Sequence, residues 1–243
     1  MGEAVAEVYQ SGELLYKGVR WDFDQNDGVV GWRDTGLTYD SGRYCLKSLT
    51  TDMSSFILST SPNVVNPPFQ VDSQGRISFA SINPSDSDTL EIVMGMLSKS
   101  GGANRGSVIL GANPIGAISG IYLYHHPVNG LSLYAKENWS WLLLASWNGV
   151  SLGVWYDMVL KCKIISFDAS NNPTYKWQFE VYEMQLNADR TLANRVQKYI
   201  ASGTRLTSWR YWGGGNIEIQ VGYQPNAKID YVRVMQGTGV SGL

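Results

Sequence analysis

Aromatic side chains flanked by polar ones are the densest chemistry this chain carries. Nine Trp, 14 Tyr and 6 Phe stand among 243 residues, and two groups of them are closer than a core requires. One is Trp139, Trp141, Trp147 and Trp155; the other is Trp209, Tyr211 and Trp212, with Arg205 and Arg210 beside them. A pyranose ring offers an apolar C–H face that stacks on an aromatic ring, and its hydroxyls take hydrogen bonds from Asn, Gln, Arg or Asp. Binding sites in general combine such an apolar floor with a few polar groups. The string Ser208-Trp209-Arg210-Tyr211-Trp212-Gly213-Gly214 lies among loop-forming residues, which sets Trp209, Arg210, Tyr211 and Trp212 toward solvent as ligand-binding candidates. Trp139 and Trp141, two residues apart, share one face of a strand, a spacing that serves a core or a groove alike. Exposed aromatics beside Arg also suit a protein interface. The candidates therefore admit a glycan or another protein subunit.

Other chemistries have less to stand on. His125 and His126 are the only histidines, and neighbours on a strand point to opposite faces, so they cannot ligate one metal or form one acid–base pair. They read as a strand end or turn, with a lyase-like role beside Tyr122 or Tyr124 as the catalytic alternative. The chain has no Gly-x-Ser-x-Gly elbow, Walker loop or dinucleotide fingerprint, and Gly213 to Gly215 read as a turn. Asn138-Trp139-Ser140 is a glycosylation sequon, meaningful in a eukaryotic secretory setting. Net charge is −2 and only 16% of residues are charged, which lacks the basic footprint of a nucleic-acid binder.

The elements that must position these residues read as strand and turn throughout. Gly, Asn, Asp, Ser and Pro punctuate β-branched and aromatic runs at short intervals, the pattern of an all-β, two-sheet antiparallel sandwich. Tyr175, Trp177, Phe179 and Val181 alternate with Lys176, Gln178 and Glu180, as a half-buried strand does. The preceding run from Asp157 alternates similarly, and Asp168-Ala-Ser-Asn-Asn-Pro173 supplies the turn of a hairpin between them. Helix is scarce: Ala188–Tyr199 alone has helix-forming composition, and Thr191–Tyr199 suits either a short helix or a strand. Cys45 and Cys162 either pair across the sheets or remain small buried hydrophobes. Residues 1–17 are expected as an N-terminal arm, 18–236 as one sandwich domain and 237–243 as a flexible tail. The first residues are not a signal peptide, and no apolar run is long enough to span a bilayer as a helix.

Two places carry a resemblance. Trp21-Asp-Phe-Asp-Gln-Asn-Asp-Gly28 with Gly31-Trp32, followed by Gly42-Arg-Tyr-Cys-Leu-Lys-Ser48, resembles the opening of jelly-roll carbohydrate-binding modules and concanavalin-like domains. Ile229-Asp-Tyr-Val-Arg-Val234 is similar to the closing strand of family 16 laminarinases and lichenases and of many lectin-like jelly rolls. The element from Gly149 to Leu160 resembles laminin-G-type domains. This implies a concanavalin-like jelly roll whose first and last strands lie side by side. It also implies a calcium ion with a carboxylate from the closing strand, here Asp230, for which Asp22 and Asp24 are the natural partners because calcium takes six to eight oxygen ligands. The local string Asp22-x-Asp24-x-Asn26-Asp27-Gly28 is not an EF-hand: its glycine comes one residue late and Arg33 holds the twelfth position.

The resembled glucanases carry Glu-x-Asp-x-x-Glu on one strand, two of its carboxylates serving as nucleophile and acid/base. Glu91-Ile-Val-Met-Gly-Met96 keeps the first carboxylate and has Val93 and Met96 where the others belong, so no catalytic residue is assigned and an enzyme is the less expected outcome. The leading expectation is a non-catalytic, lectin-like carbohydrate-binding surface domain, extracellular or on a virion. The alternatives are a structural or decoration protein of a virus particle or extracellular assembly, docking through the arm by strand addition, and a glycoside hydrolase or polysaccharide lyase with a non-standard site.

Overall fold

The computed structural model describes residues 6–10, 13–22, 29–33, 37–40, 45–48, 54–58, 70–71, 77–78, 89–97, 105–112, 120–126, 129–137, 140–188, 192–206, 216–222 and 228–237. Every regular element among them is a strand, and every described pairing is antiparallel. Sheet I runs in the order β1 (Ala6–Gln10), β2 (Glu13–Asp22), β18 (Lys228–Gly237), β9 (Thr89–Leu97), β14 (Trp155–Phe167), β15 (Pro173–Leu186) and β16 (Leu192–Leu206). The hairpin of β4 (Leu37–Asp40) and β5 (Cys45–Ser48) joins it at β18. Sheet II runs β13 (Ser140–Trp147), β12 (Gly130–Glu137), β11 (Gly120–His126), β10 (Arg105–Ala112), β17 (Asn216–Gly222), β6 (Ser54–Leu58) and β3 (Val29–Arg33). The short pair β7 (Gln70–Val71) and β8 (Ile77–Ser78) joins it at β17.

The opening and closing strands lie side by side, as the resemblance implies: Tyr231 stands opposite Asp22 and Val234 opposite Val19. Residues 6–10 and 13–17, within the expected arm, form β1 and the start of β2, and pair within the chain's own sheet.

Strand alternation builds the core. On β14, Tyr156, Met158, Leu160 and Cys162 face inward; on β9 Ile92, Met94 and Met96 do so, and on β15 Tyr175, Trp177, Phe179 and Val181, all of them buried. Sheet II answers with Leu123, Leu131, Leu133, Ala135 and Ala145. The two layers meet where Trp147 touches the Tyr156 ring edge-on, centroids 5.5 Å apart, and where the Ser151 N–H donates to the Tyr156 hydroxyl at 2.9 Å. Cys162 carries a free thiol in this core, so no Cys45–Cys162 bridge forms, and burial pushes that thiol well above its ordinary pKa.

The β14–β15 hairpin forms where the turn residues predict it. Asp168 Oδ1 accepts the backbone N–H groups of Ser170 and Asn172, at 2.9 and 2.8 Å, and Asp168 Oδ2 accepts the Asn172 amide at 2.9 Å. These donors, those of Asn172 first, hold the Asp168 carboxyl below its ordinary range. Asn171 takes the left-handed conformation, φ 60°, which Asn tolerates better than most residues. The stretch whose composition suited a helix is strand: residues 192–199 belong to β16, paired along its length with β15. Its backbone completes sheet I, and that pairing outweighs a weak local propensity.

Gly203 stands opposite Trp177, and a Cβ built there lies 2.7 Å from the indole Cζ2. Gly203→Ala is therefore expected to cost about 1–3 kcal/mol through overpacking, read as a lower denaturant midpoint with an unchanged m-value.

Candidate functional site

The outer face of sheet II carries an aromatic platform. Alternation on β11 turns Leu123 and His125 inward and Tyr122 and Tyr124 outward; on β12 it turns Leu131 and Leu133 inward and Ser132, Tyr134 and Lys136 outward. Register then sets Trp141 of β13 opposite Lys136. The Trp141 ring lies 4.6 Å from Tyr122, 5.7 Å from Tyr134 at a right angle, and 6.3 Å from Tyr124 in a stacked orientation. The Lys136 ammonium sits over the same indole, 4.9 Å from its centroid, a cation–π contact that gains strength from the low exposure of the lysine. Tyr122, Tyr134 and Lys136 are buried, whereas Trp141 keeps 50% of its surface open. Asn129, in the β11–β12 turn, donates its amide to the Tyr134 hydroxyl. The result is a half-open ring flanked by three tyrosines with an ammonium over it, one of those tyrosines bonded in turn to an amide.

The outer face of sheet I is polar yet closed. Val93, Val159 and Met184 pack there with Trp155 and Tyr182 around them. Three carboxylates lie among these groups, each with a cation. Glu91 accepts from Arg233 at 2.7 Å, Asp157 from Arg195 at 2.8 Å, and Glu180 from Lys161 at 2.9 Å. Glu180, expected on a solvated face, is only 2% exposed. It also accepts the Gln178 amide and the Tyr182 hydroxyl. Burial raises its pKa, but hydrogen bonds from Tyr182, Gln178 and Lys161 outweigh that and hold the carboxyl below its ordinary value. Burial and the bond to Glu180 push the Tyr182 hydroxyl up to about 12. Arg195 caps the group, 3.8 Å above the Tyr182 ring. A carboxylate kept ionised in this way is a poor general acid, since glycoside hydrolysis requires one carboxyl to hold its proton. Val93 shares the face of Glu91, and Met96 turns into the core.

Of the aromatic candidates, Trp141 is brought into the platform, while Trp139, Trp209, Arg210, Tyr211 and Trp212 lie outside the described residues. Of the metal candidates, Asp22 ends β2 opposite Tyr231, so Asp230 lies one residue away on the neighbouring strand, at an irregularity in its pairing with β9. Asp24 lies outside the described residues. No group of three His, Cys, Asp or Glu side chains is clustered for a metal among the described residues. His125 and His126 end β11, with His125 buried on the face opposite Tyr122 and Tyr124. The partners of Trp141 that sequence reasoning did not assemble are Tyr122, Tyr124, Tyr134 and Lys136, with Asn129 bonded in turn to Tyr134. Their signal was the alternation of the β11–β12 hairpin, which aligns Tyr122 with Tyr134.

The site is thus the outer face of an all-β, two-sheet antiparallel sandwich. No protein-family profile matches the chain, and no curated protein matches it. Solved structures do. A protein of unknown function from Shewanella oneidensis MR-1 aligns with a TM-score of 0.52 at 10% identity, over 100% of this chain and 93% of that one. A carbohydrate-binding module from Bacillus subtilis aligns with a TM-score of 0.42 at 11% identity, over 85% and 93%. The lectin from Bauhinia forficata, solved in complex with GalNAc, aligns with a TM-score of 0.45 at 8% identity, over 91% and 99%.

The ion pairs on sheet I have a testable acid signature. Glu180 has a folded pKa below its ordinary 4.5, so its contribution is present above that value and fades as pH falls through the lower folded value. Glu180→Gln is expected to cost about 3 kcal/mol at neutral pH, the order for breaking a buried pair. The gap between the variant and the native chain should narrow below pH 4.5. Urea melts at a series of pH values measure this; a gap independent of pH contradicts it.

Proposed function

We propose that this chain is a non-catalytic carbohydrate-binding domain that stacks a sugar ring on Trp141. The observation that carries the reading is the half-open indole of Trp141, held among Tyr122, Tyr124 and Tyr134. Large aromatics in a globular chain are ordinarily buried or paired, and an anchored ring left open beside hydroxyl, amide and ammonium groups suits the apolar face and polar rim of a pyranose. Anchoring matters because a ring already fixed loses little freedom when the ligand arrives. Glu91, Asp157 and Glu180 on the outer face of sheet I support binding over hydrolysis, since each of the three is engaged by a cation. A location outside the cell or on a virion surface, where glycans are met, belongs to the same proposal.

A structural calcium near Asp22 and Asp230 is the second part of the reading, supported by their placement on adjacent strands. If it is right, added calcium raises the melting temperature of the native chain but not of Asp230→Asn. An equal response in both removes Asp230 from the site.

The decisive experiment is a glycan-array screen of the native chain and Trp141→Ala, both checked for folding by circular dichroism. Binding is expected in the native chain, weakened about tenfold or more in the variant, the order of a tryptophan hot spot. Silence of the folded native chain across the array overturns the reading. Binding that survives Trp141→Ala but is lost in Trp212→Ala moves the site to the 208–214 string.

A further inference from the structure

The first half of β13 departs from strand alternation. Ser140, Trp141, Leu142 and Leu143 are all exposed, the three large residues at 50%, 39% and 41%. Consecutive strand residues point to opposite faces, so both faces of this stretch stand clear. β13 also ends sheet II, and no other described strand pairs with its far side. An apolar edge strand with unpaired backbone groups is a template for another strand unless charge, proline or a covering element guards it.

The other strands that end the two main sheet paths are guarded. β1 carries Glu7, β3 carries Arg33, and β16 carries Arg195, Lys198 and Arg205. Ser140–Trp147 has neither a charge nor a proline. That difference bears on the occupant. A charged edge that meets its own copy sets like charges close together across the ladder, which is destabilising; an uncharged one meets itself without penalty. Within Trp141-Leu142-Leu143-Leu144, antiparallel pairing about the middle sets apolar residues opposite apolar residues whichever register is taken.

We infer that β13 pairs antiparallel with β13 of a second copy of this chain, about a two-fold axis, so that two sheets II run on as one. The pairing with β12 is irregular between Leu133 and Tyr134, where Leu144 is the extra residue. The regular free edge is therefore Ser140 to Leu143, the same residues that are exposed. A contact this short falls near or below the roughly 1,000 Å² of a firm interface, so the dimer is weak and concentration-dependent. By register Trp141 lies on the outer face with Lys136, and the glycan array and sedimentation test the two readings separately.

Sedimentation velocity over a concentration series tests it with four proteins: the native chain, Leu142→Lys, Leu143→Lys and Ile200→Lys. Ile200 lies on β16 of the other sheet and is 53% exposed, so it controls for general hydrophobic association. The native chain and Ile200→Lys are expected to move from monomer toward dimer as concentration rises, and both leucine variants to remain monomeric with unchanged circular dichroism. A native chain that stays monomeric through high micromolar concentration overturns the proposal. So does a dimer that survives both leucine substitutions, or growth into larger oligomers, which a closed two-fold contact does not produce.

Discussion

Sheet I is closed by its last strand. β18 is flanked by β2 and β5 on one side and by β9 on the other, so the chain's two ends and its middle are joined by one ladder. Until that ladder forms, Val232 and Val234 have no neighbours on β9 and the edge of β9 stays open. The same register sets Arg233 beside Glu91, 142 positions away in sequence, and Tyr231 opposite Asp22. Each pairing closes a long loop, whose entropic cost must be met before the contacts return anything. A topology dominated by such non-local strand pairs folds slowly compared with helical chains of similar size.

The strand period of two then divides the labour of the two outer faces. On the described part of the outer face of sheet I, Glu91, Asp157 and Glu180 have withdrawn from water by pairing with Arg233, Arg195 and Lys161. Removing a carboxylate from water is costly without a cation and further donors, and Glu180 has both. On β11 and β12 of sheet II three of the outward positions are Tyr122, Tyr124 and Tyr134, which need no counter-ion and lean on the partly open Trp141 at the sheet's edge. The described parts of the two outer faces thus differ, ion pairs on β9, β14 and β15 and aromatic rings on β11 to β13, and the difference follows from which side chains alternate with the core.

Much of the architecture was legible in the sequence. The run from Asp168 to Pro173 is made of turn residues, and the alternation of Tyr175, Trp177, Phe179 and Val181 announces the inward face of β15. The stretch Thr191–Tyr199 stays open between helix and strand because its composition suits both; on an edge strand exposed on most of its length, no buried face enforces a period of two. Glu180 could not be placed from its own strand alone, since its cation, Lys161, comes from the neighbouring β14. Trp141 was ambiguous for a related reason. Its alternation with Trp139 and Ser140 is the same in a core and on a surface, and only its partners on β11 and β12 tell the two apart.

Cys162 has a consequence of another kind. Its thiol, on the core face of β14, is fully covered and held protonated by burial, while the thiolate is the form that attacks alkylating reagents and oxidants. The native molecule therefore shields this sulfur from both, and modification waits for an opening that exposes the interior. Each molecule labelled at Cys162 then records one such excursion, and the chain carries within its sequence a clock for its own breathing.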